Sequence, residues 1–413
     1  MENLFRKNLL IPLVLLSFAV LYSLKNIPHR GQAQGSISLK GKVVATSFNG
    51  IYIIDSQNRK WKVYTDQGGY IYTNDIISVK GFAKGWEIYA QKVRVRRNFL
   101  QKVRVKIHSL LKERFLKTAK GKVAKKLGSA LFFGENWFSY KERQKLAHLG
   151  VYHLIVISGF HYALFLAVLF LIPVRFGIRY WVAFLFFLFF TFFLLFPKAP
   201  TYRAFFSVAL FIAAKLLERQ YNSLKALFFA ASVSLLLFPY WLFNVGFWLS
   251  YLASLSLILY YGFRKTPEED FVSSFFGKTL GLEATLVVFA VISPLIVSYF
   301  HFFSFGEFIL APLFTFIVQL YLLVGTLNLF TFWSISPLVG LQNQIASLFG
   351  EIFYSVPDRF YLTVSTPFAV FSLVYTLLAL GVLLKSKKRK LFYLFLLTVL
   401  EILTFLVLKT FTL

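Results

Sequence analysis

The sequence holds no cysteine, which excludes disulfides, thiolate nucleophiles and cysteine-ligated zinc or iron–sulfur centres while leaving the redox compartment open. Acidic residues are scarce, 17 Asp and Glu against 45 Lys and Arg, for a formal net charge of +28. A surplus of that size calls for anionic partners: lipid headgroups, nucleic acid, or both. Charge of either sign is thin, at 15% of residues, whereas 58% are hydrophobic and 52 of the 413 are Phe. That balance excludes a disordered chain, a collagen and an ordinary cytosolic globule, and points to a membrane protein.

The first apolar segment, Leu9 to Leu24, is flanked by Arg6, Lys7 and Lys25. It reads as a spanning helix, with the h-region of a secretory signal as the alternative. The chain divides into residues 1–35 (helix and linker), 36–97 (a β-domain), 98–150 (basic amphipathic or interfacial helices) and 151–413 (a polytopic membrane region). In 36–97, the runs SISLKGKVVATS, GIYIIDS, RKWKVYT, DIISVKGFAK and WEIYAQKVRVRR alternate in polarity and are separated by turn-forming residues. Five strands closing as a small antiparallel, OB-like barrel are expected.

Lys92 to Lys126 carries 14 Lys or Arg and one acid, Glu113. Its apolar residues, from Leu100 to Phe115, recur at helical spacing, so an amphipathic helix lying on a membrane surface is expected. Ser139 and Glu142 have capping-box spacing for a short helix to Leu149. Ten further apolar spans follow, from Val151–Ile172 to Leu391–Leu408. The Ser334–Tyr354 segment, with its polar Gln342, Asn343, Gln344 and Glu351, either crosses or lies flat. With the N-terminus inside, the positive-inside rule gives eleven spans and a basic barrel on the outer side.

The segment Leu127 to Phe165, LGSALFFGENWFSYKERQKLAHLGVYHLIVISGFHYALF, contains the run His153, Leu154, Ile157, Ser158, Gly159, His161. With Pro200 and Arg203 in PKAPTYRAFF, Phe247 to Ser250 in the block after them, and Pro294 and Pro312 further on, it resembles the ComEC competence-protein family. The resemblance implies a polytopic channel in the bacterial cytoplasmic (inner) membrane that passes one strand of DNA inward during natural transformation. It also implies an external DNA-binding barrel, and as partners a cytoplasmic helicase-like ATPase and an outer DNA receptor. Many members carry a metallo-β-lactamase-like nuclease domain, but no HxHxDH run occurs in this sequence. Nuclease activity is therefore assigned to a separate protein, and the chain is read as a transporter, not an enzyme. Where the family commonly has Asn, five residues before Pro312, this chain has Glu307.

His153, Ser158, Gly159, His161, Arg203, Trp248 and Ser250 are the candidates for the pore or its mouth. An intramembrane polar group must face protein or water, because lipid cannot satisfy it. A metal site built on His153 and His161 lacks a third ligand on the same helix, so no metal or cofactor is expected. A Ser158–His161 nucleophile pair lacks an orienting acid. In the barrel, Trp61, Tyr64, Tyr70, Tyr72 and Trp86 offer ring faces for unpaired bases, or else pack in the core. Arg94, Arg96, Arg97, Arg104 and Lys106 are the phosphate-contact candidates. Gly277-Lys278-Thr279 ends like a phosphate-binding loop, but Val272 replaces the first glycine. Two rival functions remain: an intramembrane hydrolase or lipid-modifying enzyme, and a transporter of an acidic lipid or polysaccharide.

Overall fold

A computed structural model describes residues 9–25, 29–47, 51–56, 59–65, 71, 75–171, 175–195, 198–262, 282–363 and 369–385, with a few positions between 394 and 401. Tyr70, Tyr72, the Gly277–Thr279 loop, the Glu283 side chain and most of the Leu391–Leu408 span lie outside the described residues.

Helix α1 (Leu10–Lys25) leads into six strands: β1 (His29–Arg30), β2 (Ala33–Ser47), β3 (Ile51–Ser56), β4 (Arg59–Tyr64), β5 (Ile76–Gly85) and β6 (Glu87–Arg96). Antiparallel pairs join β4 to β3, β3 to β2, β2 to β5 and β5 to β6, and β4 then pairs with β6 to close the circuit. The closing pair is parallel, Lys62 opposite Glu87 and Tyr64 opposite Tyr89. The sheet is therefore mixed, not wholly antiparallel as expected. Four antiparallel steps, from β4 through β3, β2 and β5, bring β6 back to the direction of β4. Alternation fills the interior with Val43, Ile54, Trp61, Val63, Ile77, Val79, Ala83 and Ile88.

Helix α2 (Phe99–Thr118) opens on a capping box in which Asn98 Oδ1 accepts from Gln101 N at 2.8 Å and Gln101 Oε1 accepts from Asn98 N at 3.0 Å. Helix α3 (Gly121–Phe133) follows. The basic stretch thus forms the end of β6 and two helices rather than a single one. His108, Leu111, Lys112 and Phe115 of α2 and Leu127 to Phe133 of α3 are buried in the main helical core. Helix α4 (Tyr140–His148) starts at Ser139 with the expected box, Ser139 N donating to Glu142 Oε2 at 2.7 Å.

The remaining helices are α5 (Gly159–Phe170), α6 (Phe176–Phe189), α7 (Ala199–Leu216), α8 (Ser223–Leu237), α9 (Val245–Tyr261), α10 (Leu282–Phe300), the short α11 (Gly306–Ile309), α12 (Ala311–Phe330), α13 (Ser336–Ser355) and α14 (Ala369–Lys385). A π-helical turn, Phe190–Leu194, extends α6, and β7 (Phe302–Ser304) pairs with β8 (Tyr361–Thr363). Two segments, Gly177–Leu194 and Ala311–Phe330, are long and apolar enough to cross a bilayer, and six shorter apolar helices accompany them among the described residues. Large exposed apolar side chains such as Trp181, Leu185, Leu313 and Phe316 stud their outer surfaces, which suits lipid contact. Helix α13 turns one face inward. Asn328 Nδ2 donates to Gln342 Oε1 at 2.8 Å, while Leu341, Leu348 and Tyr354 stay exposed.

The expected span Val151–Ile172 is broken. Tyr152–Ile155 is a 3-10 turn, the chain is then extended, and α5 begins only at Gly159. Twelve helical residues rise about 18 Å, well short of a hydrocarbon core of about 30 Å.

Candidate functional site

The extended backbone before α5 places its first turn against two other helices. A Cβ on Gly159 would lie 2.9 Å from one terminal nitrogen of Arg203 and 3.3 Å from the other. The guanidinium of α7 thus rests on glycine backbone that no other residue type would leave open. Arg203 Nε donates to Ser250 Oγ on α9 at 2.8 Å. Next along α9, Tyr251 shares a hydrogen bond of 3.1 Å with Ser234 of α8. Four helices, α5, α7, α8 and α9, therefore meet around one arginine.

Ser158 caps α5. His161 Nδ1 accepts the Ser158 backbone N–H at 2.9 Å, and Ser158 Oγ lies 3.3 Å from the same nitrogen. With its lone pair directed at the backbone N–H, Nδ1 carries no proton, and the imidazole acts as a helix cap. That geometry disfavours Nδ1 as a base for Ser158. His153 does not share a helix with His161 as expected, because it sits in the 3-10 turn, exposed. Trp248 donates its indole N–H to the Leu242 carbonyl at 2.8 Å. Of the seven pore candidates, the fold gathers Ser158, Gly159, His161, Arg203 and Ser250. Glu307 does not pair with Arg203: its backbone packs on Gly150. Among the described residues no group of three or more His, Asp or Glu is arranged to hold a metal ion.

The barrel candidates separate. Trp61 is 4% exposed, in the core with Gly31 pressed on its ring, and is no stacking platform. Tyr64 is half-buried and stacks on Tyr89, centroids 5.2 Å apart and planes within 10°. Trp86 is half-buried, with Arg30 at 5.0 Å and Lys62 at 5.7 Å from its ring. Arg94, Arg96 and Lys106 are exposed. Arg97 instead grips Asp75 with Nε and Nη2 at 3.0 and 2.9 Å. Arg104 donates to the Leu195 carbonyl at 2.8 Å, tying α2 to the end of the π-helical turn. An open groove of about 750 Å3 lies where the barrel meets α2, lined by Lys42, Ile76, Arg96, Arg97, Asn98 and Gln101.

Sequence reasoning missed a buried ionic knot under α2. Lys112 donates to Glu135 Oε2, Trp137 Nε1 donates to the same oxygen at 3.0 Å, and His108 Nε2 stands 3.6 Å from Oε1. Burial, then the charges of Lys112 and Arg104, push the His108 imidazole down to about 3, so it is neutral at pH 7. Only the i, i+4 spacing of His108 and Lys112 hinted at a shared partner.

A model of the competence protein family matches residues 131–388. An uncharacterized protein of Aquifex aeolicus (strain VF5) is 32% identical over 265 residues, covering 62% of this chain and 58% of that protein. ComE operon protein 3 of Bacillus subtilis (strain 168) is 28% identical over 264 residues, 59% of this chain and 32% of that protein. The chain thus matches 58% and 32% of the lengths of these two relatives. No solved structure matches the chain significantly.

Proposed function

This chain belongs to the competence protein family, and we propose that it is a multi-pass channel of the bacterial cytoplasmic membrane through which a single strand of DNA enters during natural transformation. The observation that carries the reading is the broken start of α5. Non-helical backbone at membrane depth is tolerated only where it is enclosed by protein or lines a water-filled path. Here it sets Gly159 against Arg203, which donates to Ser250, while Ser158 and His161 cap the same turn. Such a site, polar but with one cation, can guide phosphates without trapping them, since conduction needs binding weak enough for release.

The barrel is the outer DNA-binding module in this proposal. Its five-strand closure with one parallel pair is compatible with an OB-like barrel. With the amino terminus inside and α1 crossing, the barrel lies beyond the bilayer in this reading. The drive comes from a cytoplasmic helicase-like ATPase, and DNA is delivered by an outer receptor. The family match and the ComE operon relative support a role in DNA uptake. The capping geometry of His161 weighs against the hydrolase alternative.

The test is deletion of the gene in a transformable host, with DNA capture at the surface scored separately from entry into the cytoplasm. Capture without entry is expected. Unchanged entry removes the proposal.

A further inference from the structure

Strand register arranges the outward face of the barrel in rows. Tyr89 of β6 pairs across the ladders with Phe82 of β5 on one side and Tyr64 of β4 on the other. These three rings form one line over three strands, Phe82 54% and Tyr89 49% exposed. Tyr64 covers one face of the Tyr89 ring. Glu87 accepts from the hydroxyls of Tyr64 at 2.9 Å and Tyr89 at 3.4 Å, which fixes both rings.

Cations bracket this aromatic line. One row along the strands, Lys84 and Lys62 flank Glu87. On the other side Lys80 pairs with Lys92, both exposed. A β-bulge between Lys80 and Gly81 produces this arrangement. Tyr89 and Lys92, three positions apart, would face opposite sides of a regular strand, and the extra residue brings both outward. Beyond Lys92 the rows continue with Arg94 opposite Ser78 and Arg96 opposite Ile76, ending at the groove against α2. Successive rows are about 7 Å apart.

We propose that this face is a track for unpaired nucleic acid: bases stack on the Phe82–Tyr89 part of the aromatic line, and phosphates run past Lys80, Lys92, Arg94 and Arg96 toward the groove at α2. The track rests on the reading of the barrel as the DNA-facing module and gives that module a binding surface. Charge complementarity selects a polyanion, and a row of half-exposed rings selects one with accessible bases. Glu87, the acid among these rings, is engaged by Lys62 as well as by the tyrosines.

The full chain in lipid nanodiscs is titrated with a fluorescent oligothymidylate, an abasic strand of equal length, and anionic vesicles. Tyr89→Ala and Phe82→Ala are each expected to weaken oligothymidylate binding about ten-fold while leaving the abasic strand and the vesicles unchanged. Tyr89→Trp is expected to retain binding, and because these side chains lie outside the core, thermal unfolding should not move. Unchanged oligothymidylate affinity, an equal loss for the abasic strand, or a loss confined to vesicles overturns the track. The last result would assign the face to the membrane surface. Binding by the nanodisc protein and DNA entry in the gene deletion are separate readouts, so the track and the channel can fail independently.

Discussion

Arg203 and Ser250, 47 positions apart, are joined by a hydrogen bond of 2.8 Å from the guanidinium Nε to the serine Oγ, directly over Gly159. An arginine among apolar helices is costly to bury, and this one is held by one hydroxyl, leaving its terminal nitrogens on the glycine side.

Gly159→Val follows from that arrangement. Branching at this position drives carbon into the space of the Arg203 terminal nitrogens and displaces them. DNA entry is expected to fall about ten-fold, equivalent to ~1.4 kcal/mol, with surface capture and membrane level unchanged. Arg203→Gln should show the same split. A parallel loss of capture and entry in transformation assays would contradict it.

Trp61 takes the core-packing alternative of the two its residue type allowed. Trp61→Ala leaves a hole in the barrel core and is expected to cost about 3–5 kcal/mol. Gly31→Ala, whose new Cβ would lie 2.2 Å from the Trp61 ring, should destabilise the same domain. Hydrogen exchange of the barrel strands reads both. Protection equal to wild type in Trp61→Ala would refute core packing.

The knot under α2 predicts a sharp asymmetry. Glu135→Ala leaves Lys112 buried without its carboxylate and is expected to cost about 3–5 kcal/mol. The double variant Lys112→Met, Glu135→Leu should recover most of that, because it removes both charges together. Thermal unfolding of the purified protein measures the two. A double variant no more stable than the single one would show that the charges serve some other purpose.

Glu142 predicts an acid-side dependence. Burial opposes ionisation of this carboxyl, but hydrogen bonds from Lys126, Tyr354 and Ser139 outweigh it and hold the group down at about 2. A folded-state value below the unfolded one, ~4.3, means the carboxylate stabilises the fold above that unfolded value. The contribution is lost as pH falls through about 2. Glu142→Gln should unfold at lower temperature at pH 7, and its decline in unfolding temperature between pH 5 and 2 should be shallower than wild type. Parallel declines would exclude Glu142 as the source.

A strand pattern with period two and clear turn residues made β2 to β6 legible, and a capping box marked the start of α4 at Ser139. The sequence also carried the polar positions around Arg203, because a cation or glycine inside an apolar run stands out. It did not carry the fate of each aromatic in the barrel. Trp61 and Tyr64 lie on one strand three apart, and only the closed circuit decides which faces inward. Nor did the sequence carry the line of Tyr64, Tyr89 and Phe82, because register across three strands, with a bulge after Tyr89, decides which rings and cations align.

Composition and local pattern settled that the chain is apolar, basic and built of a small β-domain ahead of many helices, since solvent preference and backbone period act residue by residue. Tertiary structure alone decided that α5 starts late, that Glu135 joins Lys112, and that Arg203 finds Ser250. Those contacts link positions far apart in the chain, where no local periodicity records which partners will meet.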